Sequence, residues 1–206
     1  MLVGAPQITP DSQGPGAAFV FTRSAGEWLP QQKLEAMPKD EGASFGWSVA
    51  LQGELAAVGG PHPGSPHAAD NAPVDVPGKA FVFQRAQGQW TQSAVLQATT
   101  PRESDYVGIS VRLSDAALLV GASGDTSRVG GIDVDPNRGN LHHAGAFYLF
   151  AQDGPGWRRA TYLKASNPER GALFGEASAV WGDDFAVTAV RGSGAVTLSG
   201  AVYVFR

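Results

Sequence analysis

The sequence lacks several features that mark common functional classes. It has no cysteine, which excludes disulfides and thiolate chemistry. No run of apolar residues approaches the roughly eighteen that a membrane-spanning helix needs, so we expect no membrane span. The 15 Lys and Arg are scattered among 19 Asp and Glu without forming a basic stripe, so we expect no nucleic-acid partner.

Motifs of the familiar enzyme classes are missing as well. There is no G-x-S-x-G elbow and no phosphate-binding loop, and the carboxylates are too dispersed to propose a glycosidase pair. The glycine-rich run 192–200 reads as a short hairpin connection. We therefore predict that the chain is not an enzyme and has no catalytic residues and no cofactor.

What the sequence does contain is one pattern in three near copies. The copies begin GAAFVFTRSAGEWLPQQKLEA, GKAFVFQRAQGQWTQSAVLQA and GAFYLFAQDGPGWRRATYLKA. A further copy opens with GAVYVFR, and MLVGAP resembles the tail of an earlier one. Self-similarity at a spacing of roughly 55–67 residues predicts a radial or solenoid array. The equivalent positions are Phe21, Phe83 and Phe150; Trp28, Trp90 and Trp157; Leu34, Leu96 and Leu163; and Gly46, Gly108 and Gly175.

Each repeat divides into four short runs that are rich in β-branched and aromatic residues and bounded by glycine, as strands are. In the first complete unit these runs are Phe45–Leu51, Leu55–Gly59, Lys79–Gln84 and Trp90–Gln97. Turns such as Ala25-Gly26-Glu27 tolerate the positive φ of tight hairpins. The pattern predicts an all-β fold, a β-propeller of about three to four four-stranded antiparallel blades. We expect burial of Phe21, Phe83, Phe150 and Phe205.

The units FGWSVALQGELAAVGGP and FGEASAV, with the G-A-x-Y/F-V-F and W-x-x-x-x-x-L strands between them, resemble the FG-GAP repeat family. That family includes the integrin α-subunit propeller and many bacterial surface and secreted proteins. The second unit departs from the pattern with Val107-Gly108, and the third loses the G-A-P end at Val187-Thr188-Ala189-Val190.

The resemblance implies one propeller segment over residues 1–206. It divides into blades at about 1–37 (partial), 45–98, 107–165 and 174–206 (partial). It also implies a bacterial protein with an extracellular or cell-surface location. Because LVGAP after Met1 already belongs to a repeat, we expect no signal peptide here.

The family's strand order leaves the two terminal blades incomplete, with strands two to four at the start and one to three at the end. Three arrangements remain open. The segment belongs to a longer parent chain, it associates with another copy, or it closes into a compact four-bladed ring. We favour the first two, because an open array leaves an unpaired edge strand at each end.

Calcium sites of the family are not expected here. Its D-x-D-x-D-G loop is replaced by tight turns, in which Asp115, Asp183 and Asp184 act as turn formers. A displaced candidate is the loop 132–139, where Asp133, Asp135 and Asn137 alternate as in a calcium loop. Because Arg138 replaces the expected glycine and Ala144 stands at the closing acidic position, we favour an ordinary loop, with metal binding as the alternative.

Two long connections, about 60–78 and 122–145, are the predicted functional loops, since long loops on a rigid scaffold often carry function. In the integrin relatives, this class of loop lies on the ligand-binding face. The four histidines of the chain lie in these connections, and we expect them to be solvated because their spacing supports no transition-metal site. The polar residues in question are His62, His67, His142, His143, Asp70, Asp75, Asp125, Asp133 and Asp135.

Aromatic and serine positions divide into repeating and unique ones. Ser48, Ser110 and Ser178 are interpreted as structural repeats of the inner strand. The recurring Trp28, Trp90 and Trp157 should cover their own blade or a joint between blades. Trp47 and Trp181 do not repeat and are the better aromatic candidates for a ligand.

We predict a non-catalytic binding or scaffold propeller that recognises a protein or other ligand through the long inter-strand loops. The alternative is a carbohydrate-binding propeller that uses Trp47 or Trp181. A hydrolase or lyase with an active site on the channel rim is a less favoured third hypothesis. The expected partners are a protein or glycan ligand, with self-association or a longer parent chain completing the propeller.

Overall fold

The computed structural model describes residues 1–6, 16–38, 44–61, 77–115, 117–137, 139–154, 156–182, 184–193 and 199–206. These residues form β-strands and a single three-residue 3-10 turn, Glu103–Asp105. The strands are β1 Leu2–Ala5, β2 Ala17–Ser24, β3 Glu27–Leu34, β4 Ser48–Gln52, β5 Leu55–Gly60, β6 Lys79–Ala86, β7 Gln89–Leu96, β8 Val107–Leu113, β9 Ala117–Ala122, β10 Gly131–Ile132, β11 Ala146–Asp153, β12 Gly156–Lys164, β13 Phe174–Trp181, β14 Asp184–Ala189 and β15 Ala201–Phe205.

The strands assemble into four antiparallel sheets that follow one another along the chain. The first sheet has the order β1-β2-β3, the second β4-β5-β6-β7, and the fourth β13-β14-β15. The third has five strands in the order β10-β12-β11-β9-β8, because the two-residue strand β10 adds to its outer edge. The predicted all-β fold with antiparallel meanders is confirmed. No helix in the described parts of the chain is long and apolar enough to cross a bilayer.

Hairpin turns follow the predicted chemistry. Ser24 pairs with Glu27, so Ala25 and Gly26 form a two-residue turn with φ of 50° and 90°. Gln87 and Gly88 repeat that turn with φ of 49° and 81°. Positive φ at both positions matches the right-handed twist of the flanking strands.

The sheets stack face to face in sequence order. We call the side of a sheet that contacts the following sheet its forward face, and the side that contacts the preceding sheet its backward face. Strands β1 and β4 join the first and second sheets, β5 and β8 the second and third, and β8 and β13 the third and fourth. Each junction encloses one hydrophobic cluster. Among the described residues, the first and fourth sheets form no packed interface with each other.

Backbones approach closely at each junction. A Cβ on Gly59 would lie far inside van der Waals contact with the Gly108 carbonyl oxygen, and Gly121 stands in the same relation to Gly175. At those two junctions a serine hydroxyl donates to the same glycine carbonyl. Ser48 Oγ lies 2.8 Å from Gly108 O, and Ser110 Oγ lies 2.8 Å from Gly175 O. The repeated F-G glycine therefore serves the contact between sheets.

The prediction that Ser178 repeats Ser48 and Ser110 is wrong. Ser178 pairs with Val187 as Val111 pairs with Val120, so it occupies the place of a core valine on the backward face. Its buried hydroxyl has no hydrogen-bond partner among the described residues. Ala177, one residue earlier, takes the position of the repeated serine.

Burial of the repeated aromatics depends on the position of their sheet. Phe83 and Phe150 are buried as predicted, whereas Phe21 and Phe205 are only half-buried. In the part of the chain that the structure describes, no other sheet packs on the backward face of the first sheet, which carries Phe21. The tryptophan positions differ in the same way, since Trp90 is 5% exposed and Trp28 is 49% exposed.

Candidate functional site

The long connection between β9 and β11, residues 122–145, is described except for residue 138 and is the candidate functional site. Its counterpart, the connection 60–78, lies largely outside the described residues. The predicted loop residues His62, His67, Asp70 and Asp75 lie there too. Asp183 and Arg138 are likewise outside the described residues.

A buried carboxylate anchors both ends of this connection. Asp125 Oδ1 accepts hydrogen bonds from the Ser127 amide at 2.9 Å, from the Tyr162 hydroxyl at 3.0 Å and from Lys164 Nζ at 3.0 Å. The Asp125 backbone carbonyl accepts from the Gly145 amide at 3.0 Å. Lys164 also donates to the Gly145 carbonyl at 2.5 Å. The loop is therefore fastened to β12 at the point where it leaves one strand and enters the next.

A second acid, Asp105, lies beside this anchor at the end of the 3-10 turn. It is buried, and among the described residues its Oδ1 has no hydrogen-bond partner. Burial raises the pKa of Asp105 to about 7, and the nearby Asp125 adds to this, while Arg102 opposes it. Burial also raises the pKa of Tyr162 and of Tyr148, with a further contribution from Asp125.

Desolvation lowers the pKa of Lys164, and the attraction of the Asp125 carboxylate acts in the opposite direction. Two acids and one ammonium group thus share a small desolvated volume. Perturbed pKa values in a cluster are a property of active sites, and also of structural ion-pair networks. Here Asp105, Asp125 and Lys164 are all buried, so the cluster does not present these groups to a substrate.

Polar contacts outside the cluster fix the middle of the connection. Arg102 donates to the Thr126 hydroxyl at 3.0 Å and to Asn137 Oδ1 at 3.4 Å. The Thr100 hydroxyl donates to the same Asn137 oxygen at 3.2 Å. Because these donors come from the segment before β8, the loop is held from two sides.

The oxygen atoms of the calcium-like stretch are engaged in protein hydrogen bonds. Asp133 has a φ of 51°, and its Oδ1 accepts from the Tyr162 amide at 2.9 Å. Asp135 Oδ1 accepts from the Asn137 amide at 2.9 Å, which is an Asx turn. Within the described ranges, no three His, Asp or Glu side chains come close enough to hold a metal ion. The side chains of this stretch stabilise turns, and their oxygens do not converge.

The remaining candidates lie in different surroundings. His142 is exposed, and the half-buried His143 places its ring 5.9 Å from that of Tyr106. Trp47 is half-buried, whereas Trp181 is 88% exposed.

The outer surface of the connection is polar and rigidly held. Seven described side chains point to solvent there, and they include carboxylates, amides, an imidazole, a guanidinium and one aliphatic group. They are Arg128, Ile132, Asp133, Asp135, Asn137, Asn140 and His142. A fixed array of hydrogen-bonding groups around one apolar residue can bind a complementary polar surface, and it offers no nucleophile activated by a base.

Sequence reasoning named Asp125 only as a loop acid and missed Asp105 and Lys164. The repeat pattern held no signal for Lys164. It follows the repeated Leu163, where the other copies carry the half-buried Glu35 and the exposed Gln97, so a lysine at this position does not by itself indicate a buried ion pair.

Comparison with protein families finds one match. Residues 28–83 match the family model described as the FG-GAP repeat. Among curated proteins, none matches the chain. The matched range begins in strand β3 of the first sheet and ends at Phe83 in strand β6 of the second sheet.

Proposed function

Because this chain belongs to the FG-GAP repeat family, we propose that it is a recognition domain of the β-propeller type with no catalysis of its own. Each of the four sheets is one blade, with the ranges 1–37, 45–98, 107–165 and 174–206. The face-to-face stacking of successive sheets supports this arrangement. A crystal structure in which the sheets do not fan around a common axis would contradict it.

Recognition takes place at the connection 122–145. The observation that carries this proposal is the buried anchor of Asp125, Tyr162 and Lys164 under a solvent-facing polar surface. A loop that is ordered before binding loses less conformational entropy when it binds. The partner is a protein or another ligand with a polar surface. An extracellular or cell-surface location agrees with the family and remains part of the proposal.

A displayed peptide library selected on the whole chain tests this site. Recovered peptides should bind the double variant Asn140→Ala/His142→Ala at least about tenfold more weakly, which corresponds to roughly 1.4 kcal/mol. Both side chains are exposed, so their truncation should leave the fold intact. The control Gln89→Ala/Gln97→Ala removes two exposed amides on the second sheet and should leave binding unchanged. Equal loss in both variants, or none in either, would argue against the loop.

A second candidate, carbohydrate recognition, is favoured by one specific observation. Trp181 is 88% exposed, and an exposed indole can stack on the apolar face of a sugar ring. In a glycan array, Trp181→Ala should then abolish binding while the fold is retained. Trp47→Ala, at a half-buried position, should weaken it less. Absence of glycan binding by the unmodified chain would remove this candidate.

A further inference from the structure

The three junctions between sheets obey one packing rule. At the first junction, Phe81, Phe83 and Trp90 from the backward face of the second sheet cover Ala18 and Val20 on the forward face of the first. The contact shields both apolar surfaces from water, and their residues form one continuous cluster.

The other two junctions repeat the rule with equivalent residues. Tyr148 and Phe150 of the third sheet, with the half-buried Trp157, cover the forward face of the second sheet at Val82. Tyr203 and Phe205 of the fourth sheet pack on the forward face of the third sheet at Phe147. A forward face is thus always covered by the aromatic backward face of the sheet that follows.

Within the described residues, two faces of this kind are uncovered, one at each end of the array. On the forward face of the fourth sheet, Val202 and Val204 are 65% and 62% exposed. At their positions in the interior sheets, Ala80, Val82 and Phe147 are fully buried and Leu149 is half-buried. On the backward face of the first sheet, Phe21 and Trp28 are the uncovered equivalents of Phe83 and Trp90.

The fourth sheet's forward face differs from the interior ones at one position. Thr188 stands where the other sheets have Gly59 and Gly121, and it exchanges two hydrogen bonds with Ala177. Its side chain fills the space that an F-G glycine carbonyl occupies at the interior junctions. The covering surface therefore meets the Thr188 side chain at this point, where an interior junction has a glycine.

We propose that the forward face of the fourth sheet docks on the backward face of the first sheet of a second copy of this chain. The contact is head to tail, with Phe21 and Trp28 covering Val202 and Val204 as their equivalents Phe83 and Trp90 cover the first sheet. Two such contacts close a two-fold ring of 4 + 4 sheets. A ring of that size lies within the usual range of about four to eight propeller blades.

Light scattering and sedimentation of the full chain across a wide concentration range test the association. The unmodified chain should show twice the monomer mass at high concentration. Val204→Glu places a charge in the contact and should weaken the dimer at least about tenfold, roughly 1.4 kcal/mol. Met37→Glu is a control of matched exposure, at 61%, beside the junction of the first and second sheets, and should leave the mass unchanged. A monomer at every concentration, or equal effects of the two variants, would overturn the proposal.

Single cysteines test the head-to-tail direction, because the chain has none of its own. Val3 lies exposed on the backward face of the first sheet, and Val204 on the forward face of the fourth. A mixture of Val3→Cys and Val204→Cys chains should give a covalent dimer with a short bismaleimide, whereas neither variant alone should. Dimers from Val204→Cys alone would show a face that pairs with itself, and so contradict the proposal. Circular dichroism confirms that each variant is folded, and failure of this test leaves the loop 122–145 untouched.

Discussion

The ammonium group of Lys164 lies 3.0 Å from the carboxylate of Asp125 inside the third sheet, and both side chains are almost completely buried. The two residues belong to different elements, β12 and the connection after β9. Their pairing therefore joins the last full strand of that sheet to the candidate recognition loop. Lys164 also binds the Gly145 carbonyl, so one side chain secures both ends of the loop.

Removal of one member of this pair should be costly. Lys164→Met leaves the Asp125 carboxylate buried without its cation, and we expect a loss of about 3–5 kcal/mol in the free energy of unfolding. Lys33→Met is the control, because Lys33 and Glu35 form a 2.7 Å pair on the surface, where the loss should stay below about 1 kcal/mol.

Chemical denaturation of a double-mutant cycle measures the coupling. The double variant Asp125→Asn/Lys164→Met removes both charges, so it should lose less stability than the sum of the two single variants. The amide introduced by Asp125→Asn keeps an oxygen acceptor for the Ser127 amide and the Tyr162 hydroxyl. If the two losses simply add, the pair is not coupled and the anchor described above is wrong.

Asp105 should make stability depend on pH. In the folded state its pKa is about 7, so its proton is retained up to that pH, whereas the ordinary value for this carboxyl is 3.8. Between these two pH values the folded state binds more protons than the unfolded state, so the contribution of Asp105 to stability falls as pH rises. Below the lower value and above pH 7 this contribution is constant.

Asp105→Asn removes the titrating group and should flatten that slope. The variant should also be more stable than the unmodified chain at pH 8, since it removes a buried ionised carboxylate whose Oδ1 has no hydrogen-bond partner among the described residues. Thermal unfolding at several pH values between 4 and 8 gives the measurement. The control Asp153→Asn changes an exposed carboxylate and should keep the original slope. A parallel pH profile for Asp105→Asn and the unmodified chain would contradict the assignment.

The repeat pattern predicts the strands and their sheets well, because the run of apolar and β-branched residues that forms each strand can be read directly from the local sequence. Turns such as Ala25-Gly26 could be predicted for the same reason, since positive φ selects for particular residues. The half-exposure of Phe21 could not be predicted, because it depends on whether another sheet packs against the backward face of the first sheet. The cluster of Asp105, Asp125 and Lys164 could not be predicted either, since none of these residues is repeated in the other copies. They lie on three different segments of the chain, which the folded third sheet brings together.

Two equivalent phenylalanines should differ in their contribution to stability. Phe83 is buried between the first and second sheets, where its ring lies 6.0 Å from that of Phe45. Phe83→Ala should cost about 3–5 kcal/mol, as large aromatic truncations in cores do. Phe21→Ala removes the same atoms from a half-buried position and should cost clearly less in the monomer. Denaturant midpoints at low protein concentration compare the two, and equal losses would mean that the first sheet's backward face is covered.

The close approach of backbones at the junctions makes Gly121 intolerant of any side chain. In Gly121→Ala the new methyl group would meet the Gly175 carbonyl and the Ser110 hydroxyl, both of which belong to the contact between the third and fourth sheets. Relief of that clash requires the sheets to separate, so we expect a loss of at least about 1–3 kcal/mol in the free energy of unfolding. Gly156→Ala is the matched control in strand β12, because the nearest atom to its methyl group is Asp153 O at 3.6 Å. Replacement of a glycine by alanine at such an open strand position should be neutral or slightly stabilising. Equal unfolding midpoints for the two variants in urea would show that the third and fourth sheets do not need the close approach of Gly121 to the Gly175 carbonyl.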